Sequence, residues 1–161
     1  MSVPKERKVY VLDTNILFGF SLWVPIALNK NFWTKLEEAL QNGYWVLLDV
    51  VVGEIKYDEE LKKWCAEQGK KGLVNSITDE NKNRGVEINN IYKMIDETTQ
   101  KSTVDTYLVA YAEANKLTVF SRENHRVGGV GLYKIPDVCD ALRIQKISNP
   151  KIFLEAIGFR N

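Results

Sequence analysis

The chain has 161 residues, of which 45% are hydrophobic and 27% are charged. This composition is ordinary for one globular domain with a buried core. Its 22 Lys and Arg are offset by 21 Asp and Glu, so the net charge is +1. The balance excludes a general attraction to nucleic acid, and any nucleic-acid activity must come from a local site. We expect a single domain over residues 1–161.

The first half of the chain alternates apolar runs with helical patterns. Residues 9–12 are apolar and β-branched and predict a buried strand that ends at Asp13. An apolar stretch at 16–28, interrupted by Pro25, leads into a helix that ends at Asn42 and Gly43. A second buried strand follows at 44–48, and residues 50–56 and 58–68 then predict two helices.

The second half continues this alternation. Within the polar segment 76–100, a helix that covers the core is predicted by Val86, Ile88, Ile91, Tyr92 and Ile95. A helix at 105–115, a strand at 117–120, a glycine-rich loop at 128–131, a helix at 135–142, a weak strand at 144–147 and a helix at 151–157 follow. Apolar strands that alternate with helices predict an α/β fold, a three-layer α/β/α sandwich with a mostly parallel sheet of four to five strands.

Four acidic residues lie where this fold would bring them to one edge of the sheet. Asp13 ends the first strand, Glu54 lies about one helical turn past the second, and Glu123 follows the third. Asp105 opens the helix that leads into the third strand, so its end of that helix also lies at the carboxyl edge of the sheet. Parallel sheets bind ligands outside the carboxyl ends of their strands, and we expect the four carboxylates to meet there.

Carboxylates that crowd together repel one another, and a divalent cation offsets that cost. Oxygen ligands suit Mg²⁺ or Mn²⁺, and the sequence has no His or Cys cluster that would favour zinc. Such a cation activates water and stabilises charge during displacement at a phosphodiester. Taken singly, each acid has a simpler interpretation: Asp13 as a helix cap, Asp105 as a first-turn acid, and Glu54 and Glu123 as solvated surface acids.

Four segments resemble the motifs of the PIN-domain superfamily, in the same order and at similar spacing across nearly the whole chain. They are VYVLDTNI at 9–16, VVVGEI at 50–55, DTYLVAYA at 105–112 and LTVFSRE at 117–123. Trp64 and the segment KIPDVC at 134–139 are similar to an uncharacterised prokaryotic PIN-like subfamily. The chain departs from the superfamily at Glu123, where Asp is usual, and the longer side chain weakens the expectation of direct metal contact there.

The resemblance implies a Mg²⁺- or Mn²⁺-dependent endoribonuclease that leaves a 5′-phosphate and a 3′-hydroxyl. By motif position, the catalytic and metal-binding acids would be Asp13, Glu54, Asp105 and Glu123. Asn15 and Ser121 would position those acids by hydrogen bonds. The resemblance also implies an RNA substrate, a toxin of a toxin–antitoxin pair with a small antitoxin protein as partner, and a homodimer. Apolar positions between 18 and 26 are candidates for the dimer face.

Several other positions have two interpretations. Arg122, Arg126, Lys134 and Lys101 are candidates for phosphate contacts, although scattered solvated charge is the slightly favoured interpretation of each. The lone histidine, His125, lies beside the site but has no nucleophile partner in the pattern. The glycine loop lacks the ending of a phosphate loop and predicts a flexible flap. Apolar patterns place all four tryptophans in the core, which are Trp23, Trp33, Trp45 and Trp64.

Three functions besides the nuclease fit parts of the pattern. The first is a catalytically silent PIN-like module that binds RNA or protein, which the loss of one of the first three acids would favour. The second is a phosphotransfer enzyme with Asp13 as nucleophile, which is disfavoured because Asn15 stands where that chemistry needs an acid. The third is a DNA flap nuclease, which needs more acids and a longer chain.

The sequence also predicts a location. Cys65 and Cys139 have no partner at metal-ligand spacing and are expected to be reduced thiols. The chain has no apolar run that approaches the length of a membrane span, and its start is polar and charged. We therefore expect a cytoplasmic protein that makes no membrane contact.

Overall fold

The sheet has five parallel strands in the order β3-β2-β1-β4-β5. The structure is a computed structural model and describes residues 7–159. The strands are short and follow the predicted apolar runs. They are β1 (Tyr10–Leu12), β2 (Trp45–Leu48), β3 (Val74–Asn75), β4 (Thr118–Phe120) and β5 (Lys146–Ile147). The predicted strands at 9–12, 44–48, 117–120 and 144–147 are all present, and the edge strand β3 is an addition to them.

Helices cover both faces of this sheet. They are α1 (Thr14–Trp23), α2 (Lys30–Gln41), α3 (Asp49–Glu54), α4 (Glu59–Lys70), α5 (Asp79–Ile91), α6 (Thr103–Asn115), α7 (Ile135–Leu142) and α8 (Pro150–Ala156). Helix α1 contacts α3 and α4, whereas α6 contacts α5 and α7. The prediction of a three-layer α/β/α sandwich is confirmed. Among residues 7–159, no helix has the length and apolar character that a membrane span would need.

Aromatic side chains fill much of the core, with one exception to the predicted burial of the tryptophans. Trp33, Trp45 and Trp64 are buried as predicted, and Trp64 packs against the other two with ring centroids 5.1 Å and 6.4 Å away. Trp23 was predicted to lie in the core, but its side chain is 80% exposed. It is the last residue of α1, and the neighbouring Leu22 is exposed as well, so this end of the helix leaves the core.

The predicted helix in the segment 76–100 is present, but its buried face is different from the one that the apolar residues indicated. Helix α5 ends at Ile91, so Ile95 lies outside it, and Val86 and Ile91 are exposed. A buried stripe at helical spacing is formed instead by Asn81, Gly85 and Ile88. Asn81 forms a capping box with Thr78, and Gly85 is buried because α6 approaches it closely.

The chain order of the strands places a topological switch point between β1 and β4. These strands are neighbours in the sheet, but β2 and β3 come between them along the chain. The segment after β1 leads toward β2 on one side, and the segment after β4 leads toward β5 on the other. Loops therefore diverge at the carboxyl ends of β1 and β4 and leave a crevice, which is where open α/β sheets bind ligands.

Candidate active site at the switch point of the sheet

Asp13 and Ser121 face each other across the switch point. Asp13 follows β1 directly and is 4% exposed, and Ser121 follows β4. The Ser121 hydroxyl donates to Asp13 Oδ2 at 3.0 Å and accepts from the Glu123 N–H at 3.1 Å. The Asp13 N–H also donates to the carbonyl of Phe120 at 3.0 Å. Ser121 therefore orients Asp13 and the chain that carries Glu123 at the same time.

Asp13 occupies the N-cap position of α1 but does not act as a conventional cap. Its side chain makes no capping hydrogen bond, although the amides of Asn15 and Thr14 lie close enough to lower its pKa. Burial is the larger influence and raises the pKa of Asp13 above its ordinary value. The Asn15 side chain is exposed, and within residues 7–159 its amide makes no hydrogen bond to the acids. Only the backbone of Asn15 contributes to the positioning that was predicted for it.

Glu54 reaches the same region from the end of α3. Its carboxylate Oε1 accepts a hydrogen bond from the Thr14 hydroxyl. Desolvation raises the pKa of Glu54, the Thr14 hydrogen bond opposes that shift, and the nearby charge of Asp13 raises the pKa further. Thr14 is not among the residues that the sequence predicted for the site, although it lies between Asp13 and Asn15, which are. Thr14 thus joins the first motif to the second, through Glu54, and Ser121 joins the fourth motif to the first, through Asp13.

Asp105 lies in the first turn of α6, three residues after Ser102, whose backbone conformation is unusual. Ser102 precedes the helix with φ of 76°, in the left-handed region that few non-glycine residues adopt. Helix α5 holds this part of α6 in place, since an added Cβ on Gly85 would lie 2.9 Å from the Tyr107 ring and 3.1 Å from the Thr106 hydroxyl. The carboxylate is partly buried, and its position depends on the close packing of α5 and α6.

Glu123 is held at the start of α7. Its carboxylate accepts from the Ile135 N–H, which lowers its pKa, whereas burial and the charge of Asp13 raise it more strongly. Lys134 and Asp137 also act on it, with opposite effects. Glu123 is therefore both a member of the acidic group and a partner of the helix N-terminus, where a negative charge is favourable.

The four carboxylates form one electrostatic unit. Burial and the charges of Asp13, Glu123 and Glu54 together raise the pKa of Asp105 to about 8. Acids on the outer surface behave in the opposite way, because Lys93 lowers the pKa of Glu97 and His125 lowers the pKa of Asp140. We call Asp13, Glu54, Asp105 and Glu123 the acid cluster. Their mutual repulsion costs free energy that a bound cation would offset.

The acid cluster fits a hard divalent cation by its chemistry, since carboxylate oxygens are the ligands that Mg²⁺ and Mn²⁺ prefer. Within the described part of the chain, no three His, Cys, Asp or Glu side chains lie close enough together to hold a metal ion. The carboxylates are thus close enough to act on one another's pKa values without forming a closed ligand shell. Binding of a cation would require their side chains to move together.

Basic residues near the cluster differ in how strongly they are already engaged. Arg126 lies 3.5 Å above the Tyr133 ring and donates to the Gly131 carbonyl at 3.2 Å. His125 contacts Asp140 at 2.7 Å, so its ring is oriented away from a role as a free base. Arg122 is exposed and makes no ion pair with any residue in the range 7–159. Arg122 is therefore more available to an anion than Arg126 is.

The glycine-rich loop forms one 3₁₀ turn, Val127–Gly129, and then continues to α7 without regular structure. Gly128, Gly129 and Gly131 have positive φ values of 61°, 67° and 86°, which explains the choice of glycine. Val127 and Val130 are exposed, so the loop contributes little to the core. A cavity of about 360 Å³ lies between the segment after β4 and β5, lined by Ser121, Arg122, Glu123, His125 and Lys146 among others.

Residues 10–159 match the family described as a domain of unknown function (DUF4411). The match includes the whole acid cluster and the two hydroxyl side chains, those of Thr14 and Ser121, that donate to it. No curated protein and no solved structure is similar enough to match.

Proposed function

Because the chain belongs to the DUF4411 family, a domain of unknown function, we propose its activity from the site: it is a Mg²⁺- or Mn²⁺-dependent endoribonuclease. The observation that carries this proposal is the arrangement of the acid cluster at the carboxyl edge of the sheet, where Ser121 and Thr14 orient Asp13 and Glu54. Burial and the other three carboxylates also raise the pKa of Asp105 there, to about 8. Strongly perturbed acids gathered in a crevice are typical of functional sites. The resemblance to PIN domains supports RNA as the substrate.

The acids of the cluster would differ in how they bind a cation. Asp13 and Glu54 are the best-positioned ligands, since Ser121 and Thr14 orient them. Asp105 would be the third ligand, and Glu123 would contact the cation directly or through water. A bound cation would lower the pKa of water and stabilise charge on the phosphodiester. The chain itself orients the acids, desolvates them and offers Arg122 to the phosphate.

The proposed reaction is hydrolysis of one phosphodiester bond. A water oxygen forms a bond to phosphorus, and the bond from phosphorus to the 3′ oxygen breaks in line with it. The attacking water gives up a proton, and the leaving oxygen takes one from solvent. The products are then a 5′-phosphate and a 3′-hydroxyl, as the resemblance to PIN domains implies. No group of the protein is modified in this scheme.

The biological setting rests on the resemblance alone. It supports a toxin of a toxin–antitoxin pair, a small antitoxin protein as partner, a homodimer and a cytoplasmic location. Purification of the chain with the product of a neighbouring gene, followed by a cleavage assay with and without that protein, would test the antitoxin. A partner that leaves cleavage unchanged would contradict this part of the proposal.

A cleavage assay on single-stranded RNA tests the function. We expect cleavage with Mn²⁺, no cleavage with excess chelator, and a loss of about 10²–10³-fold for Asp13→Asn, because a group that stabilises transition-state charge contributes on this order. Asp79→Asn is a matched control, since Asp79 is an exposed acid in the first turn of α5. Flap DNA as a second substrate tests the alternative nuclease.

A silent binding module would give a different result. In that case the protein would bind RNA or a protein partner with Mn²⁺ present, and the RNA would stay intact at every enzyme concentration. Equal residual cleavage by the wild type, Asp13→Asn and Asp79→Asn would indicate a contaminating nuclease and would contradict the proposal.

A further inference from the structure

A second cavity adjoins the acid cluster on the side of α1. Its volume is about 260 Å³, and its walls are mostly apolar, with Phe20, Trp23 and Phe120 among them. Two polar residues, Asn15 and Arg122, also line it. Each lies within two positions of a site residue, because Asn15 follows Asp13 and Arg122 follows Ser121. The cavity therefore lies at the same edge of the sheet as the acid cluster, and Arg122 also lines the cavity beside Glu123.

The inner wall of the cavity belongs to the rigid core. Phe20 and Phe120 are buried, with ring centroids 6.4 Å apart. Phe153 packs against both, at centroid distances of 6.3 Å and 5.1 Å. Side chains packed in this way do not fill the cavity by a change of rotamer. The cavity is therefore formed before a ligand arrives.

Trp23 provides the outer, accessible part of the cavity. It is 80% exposed, whereas Trp33, Trp45 and Trp64 are buried. Among residues 7–159, no aromatic ring pairs with it. Together with the exposed Leu22 and the apolar cavity wall, Trp23 forms a contiguous apolar patch, and such patches mark interaction sites. The indole face is available to a flat, apolar group.

Arg122 joins this cavity to the acid cluster. It lines both the cavity beside Trp23 and the cavity beside Glu123. Its guanidinium group has no ion-pair partner within the described range. A guanidinium group binds phosphate through two parallel hydrogen bonds and also stacks on bases. An apolar segment of a protein would leave this charge without an anion, whereas a nucleotide offers a phosphate and a π-face together.

We propose that Trp23 and the cavity beside it bind an unpaired base of single-stranded RNA, with Arg122 on the adjoining phosphate. The inference rests on the proposed function, because the base is that of a nucleotide next to the phosphodiester at the acid cluster. Stacking on an aromatic side chain tolerates any base, so the cavity selects unpaired over paired RNA and does not select sequence. Bases within a duplex are stacked on their neighbours and do not reach Trp23.

Binding measurements in the Asp13→Asn background separate this inference from cleavage. Fluorescence anisotropy of a labelled single-stranded RNA would compare Trp23→Ala, Trp23→Phe and Ile91→Ala, with Mg²⁺ present. We expect Trp23→Ala to weaken binding about 5- to 150-fold, the range for loss of one stacked base. Trp23→Phe should keep most of the parent's affinity for the RNA. Ile91→Ala, which shortens an exposed side chain on α5, should leave that affinity unchanged.

Two further readouts locate the effect at the base. A single abasic nucleotide, moved along the RNA, should abolish the penalty of Trp23→Ala at one position only. Bound RNA should protect the tryptophan fluorescence from a solvent quencher in the parent protein, because the other three tryptophans are already buried. With the wild-type acids, Trp23→Ala should raise KM for single-stranded RNA and leave kcat within about twofold.

The outcomes distinguish the inference from the proposed function. If the wild type cleaves RNA but Trp23→Ala binds and cleaves as well as its parent, the base cavity is wrong and the nuclease stands. If Trp23→Ala changes the sedimentation of the protein and not its RNA binding, the surface binds a second copy of the chain and the inference is overturned. If neither the wild type nor any variant binds or cleaves RNA, both are wrong.

Discussion

The two ends of helix α6 carry acids in opposite electrostatic environments. Near its C-terminal end, the carboxylate of Glu113 accepts two hydrogen bonds from Arg84, at 2.7 Å and 3.0 Å. At its first turn, Asp105 is partly buried and lies near three other carboxylates. Burial and those charges together raise its pKa to about 8. The same helix therefore contains one acid that is neutralised by a basic partner and one that is held among like charges.

This difference indicates that the acid cluster lowers the stability of the folded protein. A chain that pairs Glu113 with arginine has the means to pair Asp105, but every charged residue that acts on the Asp105 pKa is another acid. Concentrated like charge destabilises a folded protein, and such arrangements are found where a ligand supplies the missing charge. The pairing at Glu113 is structural, and the carboxyl group of Asp105, which has no basic partner, is explained by the cation of the proposed function.

The largest expected difference between the two ends is in activity. Asp105→Asn should reduce RNA cleavage by about 10²–10³-fold, because it removes one charge from the proposed cation site. Glu113→Gln should keep cleavage within about twofold of the wild type, since Glu113 lies at the opposite end of the helix. Initial rates with Mn²⁺ on the same RNA measure both. A comparable loss in the two variants would indicate that α6 is simply disturbed.

The two ends should also differ in their effect on stability. Between the ordinary pKa of 3.8 and about 8, Asp105 keeps a proton in the folded protein that the unfolded chain releases. Stability is then fully present at low pH and is lost as the pH rises through this window. Without added cation, Asp105→Asn should raise Tm by about 2–6 °C at pH 8 and by less at pH 5.

Glu113→Gln is the control for that measurement, and it should lower Tm by about 1–4 °C at both pH values, because it removes the partner of Arg84. Thermal unfolding followed by circular dichroism measures these shifts. A gain for Asp105→Asn that is the same at pH 5 and pH 8 would mean that the carboxylate is not held protonated by its surroundings.

The third expected effect concerns the packing that positions the start of α6, and it is on stability alone. Gly85→Ala would place a Cβ 2.9 Å from the Tyr107 ring and should cost about 1–3 kcal/mol by overpacking. Gly69→Ala in α4 is a matched control, because its Cβ would meet only Val74 at 3.9 Å. That change should stabilise the protein by about 0.5–1 kcal/mol. Urea unfolding distinguishes the two, and a stabilising Gly85→Ala would show that α5 and α6 separate easily.

The sheet and the placement of the acids could be predicted from sequence because both depend on local apolar runs. The segments 9–12, 44–48 and 117–120 are apolar except for Thr118, and an acid that follows such a strand must lie at its carboxyl end. The parallel order of the strands then determines which acids share an edge. Helix ends at Asn115 and Leu142 were equally clear from the sequence.

Other features depend on contacts that no local pattern records. The buried stripe of α5 contains Asn81 and Gly85 because a capping box and a close helix pair require them there. Trp23 has the same apolar pattern as a core residue, but its helix continues past the core. The hydrogen bond from Thr14 to Glu54 joins residues that are 40 positions apart, and only the folded chain brings them together.

The most direct test of the acid cluster is a crystal soaked with Mn²⁺ at pH 8 and measured for anomalous scattering. We predict a peak about 2.1 Å from carboxylate oxygens of Asp13 and at least one of Glu54 and Asp105, and no peak in a crystal of Asp13→Asn. A wild-type crystal with no peak at this edge of the sheet, or with Mn²⁺ bound only elsewhere, would contradict the proposed cation site.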